Sequence, residues 1–122
     1  MVYPELSYKI IGSIFEVFNN LGYGYQEKYY QKAIAKELKR LEIPFKEQAP
    51  FEINFKGEII GKYFLDFLVE DKIILEIKKE TNFRKHNIEQ IFGYLKKSGL
   101  KLGILVNFTK DGVKFKRILN LH

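Results

Sequence analysis

Residues 63–78 read YFLDFLVEDKIILEIK, and this stretch predicts the centre of the fold. Two apolar runs, Ile59–Val69 and Lys72–Lys78, are dense in Ile, Phe, Tyr, Leu and Val and are joined through Glu70 and Asp71. Runs of this composition and length are typical of buried strands. We therefore predict a hairpin of two central strands.

Each predicted strand carries one acid in an otherwise apolar run. Asp66 lies in the first strand and Glu76 in the second, and a buried, unpaired carboxylate costs several kcal/mol. Lys78 projects from the same face as Glu76, because side chains alternate along a strand. A bound Mg²⁺ or Mn²⁺ ion would neutralise both acids, since these ions prefer hard oxygen ligands. The alternative is a buried salt bridge between Lys78 and one acid, which leaves the other acid unexplained.

The length of the connecting loop decides whether the two acids can share an ion. Asp66 faces Glu76 only if Val69 faces Ile73, which leaves residues 70–72 as the connection. A two-residue loop would shift the pairing by one position and turn Glu76 to the other face. The shared site therefore predicts an odd-length loop or a bulge.

The other elements follow from the spacing of apolar residues. We predict helices at about Glu5–Leu21, Gln26–Leu41 and Arg84–Ser98, and further strands at Phe45–Phe55, Leu102–Phe108 and Val113–Leu119. Pro50 indicates that the first strand is an edge strand with an irregular start. The order α-α-β-β-β-α-β-β predicts an α/β domain in which helices flank a mixed sheet.

The composition excludes several kinds of site. The 122 residues contain no cysteine, which excludes disulfides and thiolate sites, and a His-rich metal site would have to use His86 or His122. The longest run without a charge, residues 17–26, is far shorter than the ~20 apolar residues of a membrane span. No signal peptide is recognisable. We expect one cytoplasmic domain over residues 1–122, with no membrane partner.

The net charge is +6, and the excess lies in the second half of the chain. Residues 1–61 contain eight basic and eight acidic residues, whereas residues 62–122 contain thirteen and seven. A one-sided positive field suits a polyanion such as nucleic acid. Lys96, Lys97 and Lys101, near the end of the third helix, are candidate contacts to DNA. The alternative is a solvated, lysine-rich surface.

Two helices carry further candidate residues. Glu27 shares the core-facing side of the second helix with Tyr30 and Ile34, so it can reach a site on the sheet. The alternative for Glu27 is an ordinary first-turn acid favoured by the helix dipole. On the third helix, Gln90 and Tyr94 form an i,i+4 pair that can bind phosphate or position a strand, although such a pair is also typical of a solvated helix edge.

These residues fall into ordered motifs. Residues 24–30, GYQEKYY, fit GxxExxY, Asp66 with residues 76–78 fits D…ExK, and residues 90–94, QIFGY, fit QxxxY. The chain resembles the GxxExxY family of the PD-(D/E)XK nuclease superfamily over nearly its whole length. This resemblance implies a restriction-endonuclease-like αβββαβ core with one extra helix and one extra strand.

The resemblance also implies roles for the residues. Asp66, Glu76 and the main-chain carbonyl of Ile77 would be metal ligands, Lys78 would orient or activate the attacking water, and Glu27 would be an additional helix-borne acid. Gln90 and Tyr94 are similar to the QxxxY element of the RecB-like and lambda-exonuclease-like branch. Leu65 stands where the superfamily motif has its proline.

Three functions are compatible with this pattern. The first is a Mg²⁺- or Mn²⁺-dependent nuclease that hydrolyses phosphodiester bonds, of DNA rather than RNA. The second is a nucleic-acid-binding module of the same fold without turnover, and the third is a regulatory interaction protein whose acids are structural. The complete set of Asp66, Glu76, Lys78 and Glu27 favours the nuclease, because binding alone does not need it. The oligomeric state stays open, with a homodimer allowed.

Overall fold

The computed structural model describes residues 1–121, and His122 lies outside them. Its elements in chain order are α1 (Pro4–Leu21), α2 (Glu27–Arg40), β1 (Phe45–Phe55), β2 (Glu58–Val69), β3 (Ile73–Lys78), α3 (Lys85–Ser98), β4 (Leu102–Thr109) and β5 (Gly112–Leu119). This is the predicted order, and the element boundaries lie within two residues of the predicted ones. None of the helices in this described part is long and apolar enough to cross a membrane.

The five strands form one mixed sheet in the order β1-β2-β3-β4-β5. β3 and β4 are parallel, and the other neighbours are antiparallel. Val69 faces Ile73, so residues 70–72 form the connection and the predicted odd-length loop is confirmed. Glu70 and Asp71 both adopt positive φ in this loop, at 51° and 55°.

The sheet separates two hydrophobic cores. Ile73, Leu75 and Ile77 of β3 pack with α1 and α2 on one face, together with alternate residues of β4. On the other face, Ile74 packs with α3 through Ile91 and Leu95. Because side chains alternate along β3, Glu76 and Lys78 project from the same face as Ile74, which is the α3 face.

Both strands of the predicted hairpin lie inside the sheet, but the first half of β2 does not pair with β3. Only Phe67, Leu68 and Val69 pair with β3, because the two strands separate at Asp66 and Glu76. The outer half of β2 has only β1 beside it, and its large side chains Ile59, Ile60 and Phe64 are exposed. β1 is an edge strand, as Pro50 predicted.

Along β2, the side chains that would point to one core point to the other core on the two sides of Asp66. Phe67 packs in the α1–α2 core, whereas Leu65, two residues earlier, packs in the α3 core. The residue of β1 opposite Asp66 is Gln48, which adopts φ 47° and is absent from the regular pairing. Regular alternation therefore breaks at the position of the first candidate acid.

Candidate metal and nucleic-acid site

Asp66 and Glu76 lie side by side where β2 and β3 separate. The last regular backbone pair between the strands is Phe67 with Leu75. Beyond it the acids cross over: the Ile77 N–H donates to Asp66 Oδ2 at 2.8 Å, and the Asp66 N–H donates to Glu76 Oε1 at 3.3 Å. The two carboxylates thereby replace main-chain carbonyls as acceptors and are held between the strands.

Burial leaves this acid pair short of positive charge. Glu76 is 2% exposed, and its Oε2 atom has no hydrogen-bond partner within residues 1–121. Burial and then the charge of Asp66 raise the pKa of Glu76 to about 9. Burial also raises the pKa of Asp66, although the Ile77 N–H opposes the change. Without a bound metal ion the pair of acids therefore retains a proton at neutral pH.

Lys78 ends β3 two residues after Glu76 and is half-buried. Its positive charge acts to lower the pKa of both Asp66 and Glu76, so it lies within electrostatic reach of the two acids. The salt bridges within residues 1–121 do not include Lys78. The described structure thus gives no support to the alternative of a Lys78 salt bridge with one acid.

Glu27 is the first residue of α2 and contacts the chain just after β3. Its Oε1 accepts a hydrogen bond from the Lys79 N–H at 2.9 Å, and its charge contributes to the raised pKa of Asp66. The helix start is anchored by Tyr30, whose buried ring stacks on Phe108 at 4.3 Å and whose hydroxyl donates to the Gly22 carbonyl. In the GxxExxY stretch, the tyrosine therefore fixes the helix end that directs the acid.

α3 places Tyr94 against the sheet and leaves Gln90 exposed. The Tyr94 ring stacks on Tyr63 at 4.9 Å and packs on Phe51 at 4.6 Å. Burial and then the charge of Glu76 raise the pKa of Tyr94, and Gln90 acts to lower it. The structure thus brings the Gln90–Tyr94 pair to the border of the acid pair.

The three lysines predicted to contact DNA lie at the other end of the sheet. Lys96 and Lys97 are in the last turn of α3, and Lys101 immediately precedes β4. β4 starts beside Ile73, at the beginning of β3, whereas Lys78 ends that strand. These lysines are exposed, and they lie at the end of the sheet away from the acids. Lys114 and Lys116 of β5 lie nearer, in register with the end of β3 through β4.

Two residues at the site escaped the sequence analysis. Burial and then the charge of Glu76 raise the pKa of Tyr63, which shows that its hydroxyl lies near the acids. Asn107 of β4 is 1% exposed and pairs directly with Lys78. A tyrosine is common in strands, so Tyr63 does not stand out in the sequence. Asn107 does, because it is a polar residue in the apolar strand Leu102–Phe108, as Asp66 is in its own strand.

The donor set fits a divalent cation of the Mg²⁺ or Mn²⁺ class. Asp66 and Glu76 offer hard carboxylate oxygens, and the buried Glu76 Oε2 lacks a partner within the protein as described. Residues 1–121 contain no group of three or more His, Cys, Asp or Glu side chains that could hold a metal. Main-chain oxygen, water or substrate would have to complete the coordination.

Comparison with known proteins places these features in context. A family model described as the PD-(D/E)XK nuclease superfamily matches residues 4–118. SSO0001, which is known from a crystal structure, has a sequence 16% identical to this chain. The two structures match with a TM-score of 0.52 over 95% of this chain and 77% of SSO0001. An alkaline exonuclease from Laribacter hongkongensis has a sequence 13% identical to this chain. Its structure matches with a TM-score of 0.55 over 98% of this chain and 72% of the exonuclease. At these identities the likeness concerns the fold alone. The curated proteins contain no significant match.

Proposed function

Because the chain belongs to the PD-(D/E)XK nuclease superfamily, we propose that it hydrolyses phosphodiester bonds of DNA with the help of Mg²⁺ or Mn²⁺. One observation carries the proposal: two crossed carboxylates with raised pKa values, one buried and one half-buried, lie beside a lysine that forms no salt bridge within residues 1–121. A purely structural acid pair would not need the lysine to stay unpaired. The Tyr30 anchor and Glu27 support the finer assignment to the GxxExxY family.

Each candidate residue has a defined task in this proposal. Asp66, Glu76 and the Ile77 carbonyl hold the ion. When bound, the ion supplies Lewis-acid activation of water and neutralises charge on the attacked phosphate. Lys78 places a cation beside the same phosphate and orients the attacking water.

The other residues act at the border of the acid pair. Glu27 adds negative charge at the end of β3, where its Oε1 already accepts the Lys79 N–H. Gln90 and Tyr94 position the nucleic acid strand beside the acids. Lys96, Lys97 and Lys101 hold more distant phosphates.

The test incubates the purified protein with linear, circular and single-stranded DNA and with RNA, in Mg²⁺, Mn²⁺ or EDTA. We expect cleavage of DNA with either metal and none in EDTA. Binding without cleavage under every condition would instead favour the nucleic-acid-binding module, and neither binding nor cleavage would favour the interaction protein. Light scattering of the same preparation distinguishes a monomer from a homodimer.

Variants of the acids connect the activity to the site. Asp66→Asn and Glu76→Gln should abolish cleavage and Mn²⁺ binding by calorimetry while the protein stays folded, because each removes a ligand charge that is costly to bury. Asp71→Asn is the matched control, since Asp71 is an exposed acid of the same hairpin. Lys78→Ala should lower turnover and spare metal affinity. Unchanged Mn²⁺ affinity in both acid variants would refute the shared site.

A further inference from the structure

Asn107 lies one strand away from Lys78 on the face that carries the acids. It pairs with Lys78 of β3 on one side and with Lys114 of β5 on the other. Its neighbours Val106 and Phe108 pack in the α1–α2 core, so the Asn107 side chain projects from the opposite face, with Glu76 and Lys78. The three side chains Lys78, Asn107 and Lys114 therefore form a polar row across three strands.

The Asn107 amide is buried without a partner. It is 1% exposed, and neither Oδ1 nor Nδ2 has a hydrogen-bond partner within residues 1–121. An unsatisfied buried amide costs about 1–3 kcal/mol, so an apolar residue would stabilise this position. Asn120 provides a contrast, because its buried Nδ2 donates to the carbonyls of Leu95 and Leu100 at 3.2 Å and 3.1 Å. Asn120 thus has an evident structural role, and Asn107 has none.

The order of the strands indicates what Asn107 can do. Lys78 lies on β3 between Asp66 of β2 and Asn107 of β4. A lysine ammonium has three donors and no acceptor, so Oδ1 of Asn107 is the acceptor of the polar row. The acids attract the ammonium towards β2, and the amide offers it an acceptor on the β4 side.

We propose that Asn107 is a positioning residue: the structure as described does not contain the contact, but the unpartnered Oδ1 accepts a hydrogen bond when the Lys78 ammonium turns towards β4, and so directs the lysine beside the acid pair. The amide is neutral, so it fixes the direction of the lysine without cancelling the positive charge, as an aspartate would. The inference rests on the proposed function, because it assigns Asn107 to the lysine of that site.

The test uses Asn107→Leu, which keeps the branching of the side chain and removes both polar groups, with Asn107→Ser as a second variant. Asn120→Leu is the control. The measurements are the thermal midpoint, kcat and KM for DNA cleavage with Mn²⁺, and hydrogen exchange of the Lys78 ammonium by ¹⁵N-lysine NMR. Lys78→Arg assigns the signal.

For both Asn107 variants we expect a kcat lower by roughly 10- to 100-fold, a nearly unchanged KM and faster ammonium exchange. Asn107→Leu should in addition keep or raise the thermal midpoint, because it removes the unpartnered amide. Asn120→Leu should lower the midpoint and leave kcat and the exchange rate unchanged. An unchanged kcat in active preparations, or a loss that only parallels a lower midpoint, overturns the inference.

The NMR measurement separates this inference from the proposed function. If the wild-type protein cleaves no substrate, the nuclease proposal fails, while the exchange rates still show whether Asn107 holds Lys78. Faster exchange in the variants then supports the contact, and unchanged exchange overturns it.

Discussion

Two carboxyl groups that are held close together and shielded from water strongly disfavour being charged at the same time. Glu76 has an ordinary pKa of 4.5, and burial with the neighbouring Asp66 raises this pKa to about 9. The folded protein without metal therefore binds a proton that the unfolded chain releases at a much lower pH. A divalent ion has to displace this proton, so its affinity should increase with pH.

The same pKa shift predicts how stability depends on pH. The folded state holds the proton more tightly than the unfolded state, so this contribution is fully present below about pH 4.5 and is lost as the pH rises towards 9. We expect the free energy of unfolding in EDTA to decrease between pH 5 and pH 9. Urea unfolding at several pH values measures it. Glu76→Gln should flatten this decrease, and a wild-type stability that is constant over the range would contradict the assignment.

Glu27 combines a hydrogen bond and a charge, and two substitutions separate them. Its Oε1 accepts the Lys79 N–H at 2.9 Å, which the carbonyl oxygen of a glutamine can also do. Glu27→Gln should therefore keep the thermal midpoint and lose cleavage rate if the charge serves the site. Glu27→Ala should also lose about 1 kcal/mol of stability through the missing hydrogen bond. A full cleavage rate in Glu27→Gln would make Glu27 a structural acid only.

At the scale of the elements, the hairpin register was predictable from two acids. Asp66 and Glu76 can share one site only with an odd-length loop or a bulge, and the structure has the three-residue connection 70–72. The crossed hydrogen bonds were not predictable, because they arise where β2 leaves β3 and regular alternation ends. Asn107 is a weaker signal than the two acids, because a neutral amide costs less to bury in an apolar strand than a carboxylate does.

The close packing of α3 on β4 could also not be predicted from the spacing of apolar residues. A Cβ atom at Gly103 would lie 2.5 Å from Cγ2 of Ile91, which is 2% exposed and enclosed by the α3 core. Gly103→Ala should therefore push α3 away from β4 and destabilise the protein by about 1–3 kcal/mol. Chemical denaturation measures this loss.

The control for the packing of α3 is the same substitution in an open position. A Cβ atom at Gly12 of α1 meets nothing within 4 Å. Gly12→Ala should stabilise the protein by about 0.5–1 kcal/mol, because alanine is the better helix former. Equal effects of the two substitutions would show that α3 does not depend on the missing side chain of Gly103.

Across the whole molecule, eight of the thirteen basic residues of the second half can be divided into two groups by the end of the sheet to which they belong. The carboxyl-end group lies at the end of β3, just after it, or in register with it on β5, and comprises Lys78, Lys79, Arg84, Lys114 and Lys116; the amino-end group comprises Lys96, Lys97 and Lys101. Residues 102 and 107 of β4 separate the two ends by about 17 Å, at ~3.3 Å per residue. This separation corresponds to about five base pairs of duplex, at ~3.4 Å each. A duplex of about five base pairs centred on the acids extends only about 8.5 Å to either side, which is about half of this separation.

The two groups predict a dependence on DNA length. Reversing the charges of Lys96, Lys97 and Lys101 should weaken binding to a duplex of about 24 base pairs and flatten the slope of log K against log salt by about one per lost phosphate contact. The same variant should bind a hairpin with a stem of about five base pairs almost like the wild type. Reversing the charges of Lys114 and Lys116, which are in register with Lys78 and Glu76 two strands away, should weaken both complexes. Fluorescence anisotropy with Ca²⁺ at several salt concentrations measures these affinities, and an unchanged slope for the long duplex would make the amino-end group a solvated surface without contacts to DNA.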